Sequence, residues 1–108
     1  MKKKIMVEKS TCSVGATIQL IGGKYKAVIL WHLMGHTLRY SELHKLIAAA
    51  TDKMLAQQLR ELERDGLVHR EVYPVVPPKT EYSLTAFGES IAPILDAMCT
   101  WEKSIWNW

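Results

Sequence analysis

Between residues 52 and 84 the hydrophobic period switches from that of a helix to that of a strand. No other feature limits the fold as much. At about 100° per residue, Leu55, Leu59 and Leu62 gather on one side of a helix predicted over Asp52–Asp65, and Gly66 is its C-terminal stop. Residues 67–73 then alternate with a period of two, as a strand does. Pro74-Val75-Val76-Pro77-Pro78 cannot sit inside a sheet and reads as a loop, and residues 79–84 return as a second strand. A helix followed directly by a hairpin is therefore expected.

The segment before it supplies another helix. Ser41 is the expected cap of a third helix with Leu43, Leu46 and Ile47 as its buried stripe, and Thr51 caps the fourth after a short link through Ala48-Ala49-Ala50. Two helices joined by so short a turn are a helix-turn-helix candidate, and the hairpin after them makes it the arrangement of a winged helix. Upstream, a first helix is predicted from Cys12 to Ile21, capped by Thr11 and stopped by Gly22-Gly23. A second runs from Lys24 to about Met34; it is apolar nearly all round, hence central and buried, and Gly35 ends it. Residues 37–40 are short and extended in character. Thr85 caps a last helix reaching toward Trp106, which Pro93 should bend. The expected fold class is mainly α with a small β-hairpin, with a basic tail over 1–10 and one domain over 11–108.

Composition agrees with one folded unit. The chain has 108 residues, 48% of them hydrophobic, too many for a disordered chain. No apolar run reaches the roughly 18 residues of a membrane span, and no apolar segment follows Lys2-Lys3-Lys4 as a secretory signal requires. Two cysteines make no disulfide scaffold, so a reduced, cytoplasmic setting is expected. Of the net charge of +3, residues 1–26 hold +5 through six lysines and one glutamate, leaving −2 on the remaining 82. Contact with a polyanion must therefore use a local patch.

The fourth helix offers one. Opposite its leucines stand Lys53, Gln57, Arg60 and Arg64. Lysine and arginine neutralise phosphates, arginine forks onto guanine and glutamine pairs with adenine in the major groove. Thr51 and the first N–H groups lie at the positive helix end, which suits a phosphate. Glu61, Glu63 and Asp65 would repel phosphate, so reading should use the first two turns. A solvated amphipathic helix would show the same face, and the hairpin, with Lys79 and Arg70 placed to meet flanking phosphates, tips the reading toward double-stranded DNA. The expected contact set is Thr51, Lys53, Met54, Gln57, Gln58 and Arg60, with Arg39, Ser41 and Lys79.

The last helix carries too much apolar surface for its own core. Ile91, Ile94, Met98, Trp101 and Ile105 form one stripe, and Leu95, Cys99 and Trp106 widen it to a second. In so small a chain the second partner is expected to be another copy. Val14 and Ile18 of the first helix would join Ile94, Leu95, Met98, Trp101 and Ile105 in that interface. A two-fold dimer would bind a pseudo-palindrome with half-sites about 34 Å apart, or a multiple of it.

With these residues in view, the chain resembles the HxlR-type winged-helix transcription regulators. The matching stretches are Cys12-Ser13-Val14, LIGGKYK at 20–26, LRYSEL at 38–43, the long run from Lys53 to Gly88, and Trp101. The resemblance implies a bacterial, dimeric DNA-binding regulator with a major-groove helix at 52–65, a wing at 68–84 and dimerisation through the first and last helices. Ser13 stands where the family usually has proline, and Tyr25 where it usually has tryptophan. Cys12 falls at the family's frequent N-terminal cysteine, which in some members senses oxidants or electrophiles. A helix N-terminus stabilises a thiolate, whereas a small packed cysteine is inert, and both readings stand for Cys12. An intersubunit disulfide of Cys12 with Cys99 becomes possible if the first and last helices of two copies meet with these Cα atoms within about 7 Å.

Other chemistries find less support. His32 and His36 have the spacing of two metal ligands, but Gly35 intervenes and nothing completes the set; His44 and His69 stand alone. Gly22-Gly23-Lys24 lacks the Ser/Thr and the upstream glycine of a phosphate loop. No catalytic set, metal or cofactor is expected. Two rivals remain: a protein-interaction adaptor, and a regulator sensing an unidentified small molecule in an aromatic pocket of Tyr25, Trp31, Trp101 and Trp106.

Overall fold

The computed structural model describes residues 12–106. The expected tail and the Thr11 cap lie outside them. The elements in chain order are α1 (Ser13–Ile21), α2 (Lys26–Leu33), β1 (Leu38–Arg39), α3 (Tyr40–Leu46), α4 (Asp52–Arg64), β2 (Val68–Tyr73), β3 (Lys79–Leu84), α5 (Ala86–Glu89) and α6 (Ala92–Ile105). The order is that of a winged helix.

The core forms where the apolar stripes of three helices meet the base of the hairpin. Ile29, Leu30 and Leu33 of α2, Leu43 of α3, Leu55, Leu59 and Leu62 of α4, and Leu67 and Val68 are essentially sealed from solvent. As its apolar sequence requires, α2 is central, yet Val28 and Trp31 on its outer side are exposed. Leu46 is also a correction: it lies at the last turn of α3 and faces solvent, leaving Leu43 and Ile47 to fill the core.

The hairpin pairs antiparallel, with Val68 opposite Leu84 and Tyr73 opposite Lys79. β1 adds to the other side of β3, Leu38 opposite Tyr82, giving the order β1-β3-β2. Only Val68 of β2 is buried, because the rest of the strand projects away from the helices as a wing. α4 ends in a Schellman motif: Gly66, at φ 83°, donates to the Glu63 carbonyl, and Leu67 donates to that of Leu62. Glycine takes this left-handed turn without the steric cost of a Cβ. Thr85 ties the next helix to the same turn by donating to the Gly66 carbonyl at 2.6 Å.

Two helix starts differ from expectation. Arg39, not Ser41, is the cap residue of α3; its backbone N–H is bonded by the Glu42 carboxylate at 2.7 Å, which removes the need for a serine cap. Thr85 caps only the short α5, and Pro93 lies in the first turn of a new helix, α6, rather than bending a long one. Proline lacks the N–H that a continuous helix would need there, but a first turn leaves that position unbonded anyway.

Candidate nucleic-acid interface

α4 is built to present one face. Thr51 Oγ1 accepts the Met54 N–H at 3.1 Å and fixes the helix start. The three leucines anchor one side, while Lys53, Gln57 and Arg60 are exposed on the other. The Gln57 amide donates to Glu61 at 3.2 Å, which holds it along the helix surface. Arg60 lines a shallow recess with Arg70 and Tyr82, so the helix face runs into the base of the hairpin.

The turn before α4 is held by a polar cluster. The Tyr40 hydroxyl donates to Asp52 Oδ1 at 2.9 Å. The His44 ring touches Asp52 through Nδ1 at 3.2 Å and the Ala50 carbonyl through Nε2 at 3.0 Å. Burial, reinforced by the bond to Asp52, pushes the Tyr40 phenol up to about 12. His44, isolated in the sequence, thus helps to set the angle between α3 and α4; no spacing rule links positions 40, 44, 50 and 52.

A second groove opens beside this turn. Arg39, Tyr40 and Ser41 form one wall, and the wing residues Val75 to Thr80 form the other. Arg39 and Ser41 are exposed, as are Val75 and Val76 at the wing tip. The start of α3, which Tyr40 ties to the start of α4, therefore faces the wing across this groove.

Two expected contacts, Gln58 and Lys79, and Arg64 of the same basic face have other partners. Gln58 is half-buried, and its Oε1 accepts the Tyr25 N–H at 3.1 Å. Arg64 forks onto the fully buried Asp65, with Nε at 3.0 Å and Nη2 at 3.2 Å. That carboxylate raises the Arg64 pKa further, so the guanidinium stays charged as the partner of a buried anion. The Lys79 ammonium lies 3.5 Å from Glu81 and 4.8 Å from the centre of the Tyr73 ring, so it is engaged within the wing. Met54 is half-buried.

α1 and α6 carry an exposed apolar strip. Val14 and Ile18 of α1 and Ile94 and Met98 of α6 line a groove, and Trp101 extends the exposed strip. Ile105 is half-buried. Leu95 is a correction to the expected interface set: it is 3% exposed and belongs to the core, because it faces α2 while Ile94 and Met98 face out. The groove is lined by aliphatic and hydroxyl side chains, and Trp31, Trp101 and Trp106 are exposed rather than gathered in it. Cys12 is exposed and Cys99 half-buried, and neither is in a disulfide. Among the described residues, no three His, Cys, Asp or Glu side chains group as metal ligands, and no helix is long and apolar enough to cross a membrane.

Known proteins share this arrangement. Residues 20–107 match the model of the HxlR-like helix-turn-helix family. The HTH-type transcriptional regulator YybR of Bacillus subtilis is 47% identical over 103 residues, covering 95% of this chain and 82% of YybR. The crystal structure of the regulator YtcD superposes with a TM-score of 0.86 at 49% identity, covering 91% of this chain and all of that one. The redox regulator HypR in its oxidised form superposes with a TM-score of 0.81 at 47% identity, covering 86% of this chain and 96% of that one. The chain belongs to the HxlR-like helix-turn-helix family of transcription regulators.

Proposed function

We propose that this protein regulates transcription as a homodimer that lays two α4 helices into successive major grooves of a pseudo-palindromic operator. One observation carries the reading: Lys53, Gln57 and Arg60 are exposed on one face of α4, Arg60 adjoins Arg70 and Tyr82 of the hairpin, and the start of α3 faces the wing across a groove. Arg60 and Gln57 read base edges; Lys53, Arg39, Ser41 and the Thr51 end of α4 meet phosphates. An adaptor would instead show exposed apolar or acidic residues on that face. The dimer is formed by α1 and α6, whose exposed Val14, Ile18, Ile94, Met98 and Trp101 need a cover. Selection from a random duplex library tests this. The expected product is a two-fold sequence whose half-sites are about 34 Å apart or a multiple of it; enrichment of no sequence would refute the reading.

A second reading concerns the signal. Cys12 is the exposed N-terminal cap residue of α1, and the similar HypR is a redox regulator. The thiol at this helix end responds to oxidants, and its change reaches DNA through the dimer helices. Diamide should weaken operator binding by the native protein and leave a Cys12→Ser variant unaffected. Equal loss in both would assign the effect to another residue.

A further inference from the structure

Gly22-Gly23-Lys24, set aside above as a phosphate loop, has a role in the folded chain. It is the turn between α1 and α2, and it is fastened to α4. Gln58 Oε1 accepts the backbone N–H of Tyr25 at 3.1 Å. Gly23 lies so close to the same amide that a Cβ there would fall 2.3 Å from Gln58 Oε1. One turn further along α4, Glu61 pairs with Lys26 Nζ at 2.6 Å, and Lys26 is only 5% exposed. A backbone donor, a steric fit and an ion pair thus join the same two short segments.

From this geometry we infer that Gln58 and Glu61 are positioning residues that set the separation of the two recognition helices. The inference rests on the proposed dimer. α1 carries Val14 and Ile18 of the dimer face, and the clamped turn follows its last residue, Ile21. A displacement of α1 at the interface therefore moves α4 as a unit with it. Without the clamp, α4 keeps its polar ties to α3 at Asp52 but loses the directional bonds to the α1–α2 turn, and apolar contacts fix an axial position less sharply than directional bonds do. Gln58 thereby determines which half-site spacing is bound, although it reads no base.

The test measures the helix separation directly. A nitroxide on Lys53→Cys, in a Cys12→Ser, Cys99→Ser background, reports the distance between the two α4 helices by pulsed dipolar spectroscopy without DNA. Gln58→Met keeps the side-chain length and removes the acceptor; Gln58→Glu restores an acceptor. The expected result is a narrow distribution in the parent, a broadened one in Gln58→Met, and a narrow one again in Gln58→Glu. Gly23→Ala, which pushes on the amide from the other side, should broaden it as well and serves if Gln58→Met fails to fold. On duplexes with the spacer changed by one base pair, Gln58→Met should lose the parent's spacing preference while keeping its half-site sequence. A distribution unchanged by Gln58→Met and Gly23→Ala would overturn the clamp while leaving the dimer. No dipolar coupling in the parent would remove the dimer, and the inference with it. A changed half-site sequence in Gln58→Met would make Gln58 a base-reading residue and overturn the inference too.

Discussion

Lys26 and Glu61 meet at 2.6 Å across the contact of α2 with α4, the lysine 5% exposed and the glutamate partly open to solvent. An ammonium so enclosed is tolerable only while its partner is ionised. Lys26, followed by Gln57, holds the Glu61 carboxyl below its ordinary 4.5. A carboxyl depressed in the fold stabilises above its unfolded value and loses that contribution as pH falls through the folded one. Stability should therefore decline as pH drops below about 4.5, beyond what exposed carboxylates cause. Glu61→Gln should lower stability at pH 7 by about 3 kcal/mol, because it strands a buried charge, and should remove that part of the acid dependence. Urea melts across pH check both.

Tyr40 and Asp52 give the opposite sign. The phenol is held neutral up to about 12, against an ordinary 10.0. A raised folded value contributes stability below the unfolded pKa and loses it as pH rises through the folded one. The turn before α4 should thus loosen between about pH 10 and 12. Asp52→Asn should bring the Tyr40 transition back toward 10, seen by ultraviolet difference absorbance of a variant whose other tyrosines are phenylalanine.

Ile94 is exposed on α6, next to the buried Leu95. Ile94→Asp should leave the fold intact and split the proposed dimer, since a charge would be buried at its two-fold contact. Leu95→Ala should instead cost about 2–5 kcal/mol of fold stability by opening a cavity. Light scattering and thermal melts separate the two outcomes.

Lys79 is paired with Glu81 inside the wing. Lys79→Ala should therefore change the salt dependence of DNA binding by less than one phosphate contact, whereas Lys53→Ala should lower the slope by about one. Equal effects from both would restore Lys79 to the phosphate-contacting set.

The leucine stripe of α4, the Gly66 stop and the proline loop were legible because each depends on local periodicity or backbone restriction. So was the exposed face of Lys53, Gln57 and Arg60. The sequence misled wherever a neighbour from elsewhere in the fold decides. Gln58 stands beside the leucines on a helical wheel, and only the packing of α2 brings the Tyr25 N–H to it. Arg64 shares the outward face until Asp65, buried at the helix end, takes its guanidinium. Leu95 and Ile94 are adjacent apolar residues that no pattern assigns to core or interface; the approach of α6 to α2 does so. Pro93 signalled a distortion in one long helix, but the chain stops and starts again there.

The most direct measurement is fluorescence anisotropy of the native protein and of Arg60→Ala on the selected duplex and on a scrambled one. Specific, salt-sensitive binding by the native protein, weakened about 1–3 kcal/mol by Arg60→Ala on the selected duplex alone, is the predicted result. Binding that Arg60→Ala leaves unchanged, or that does not distinguish the two duplexes, would contradict the assignment of α4 as the reading helix.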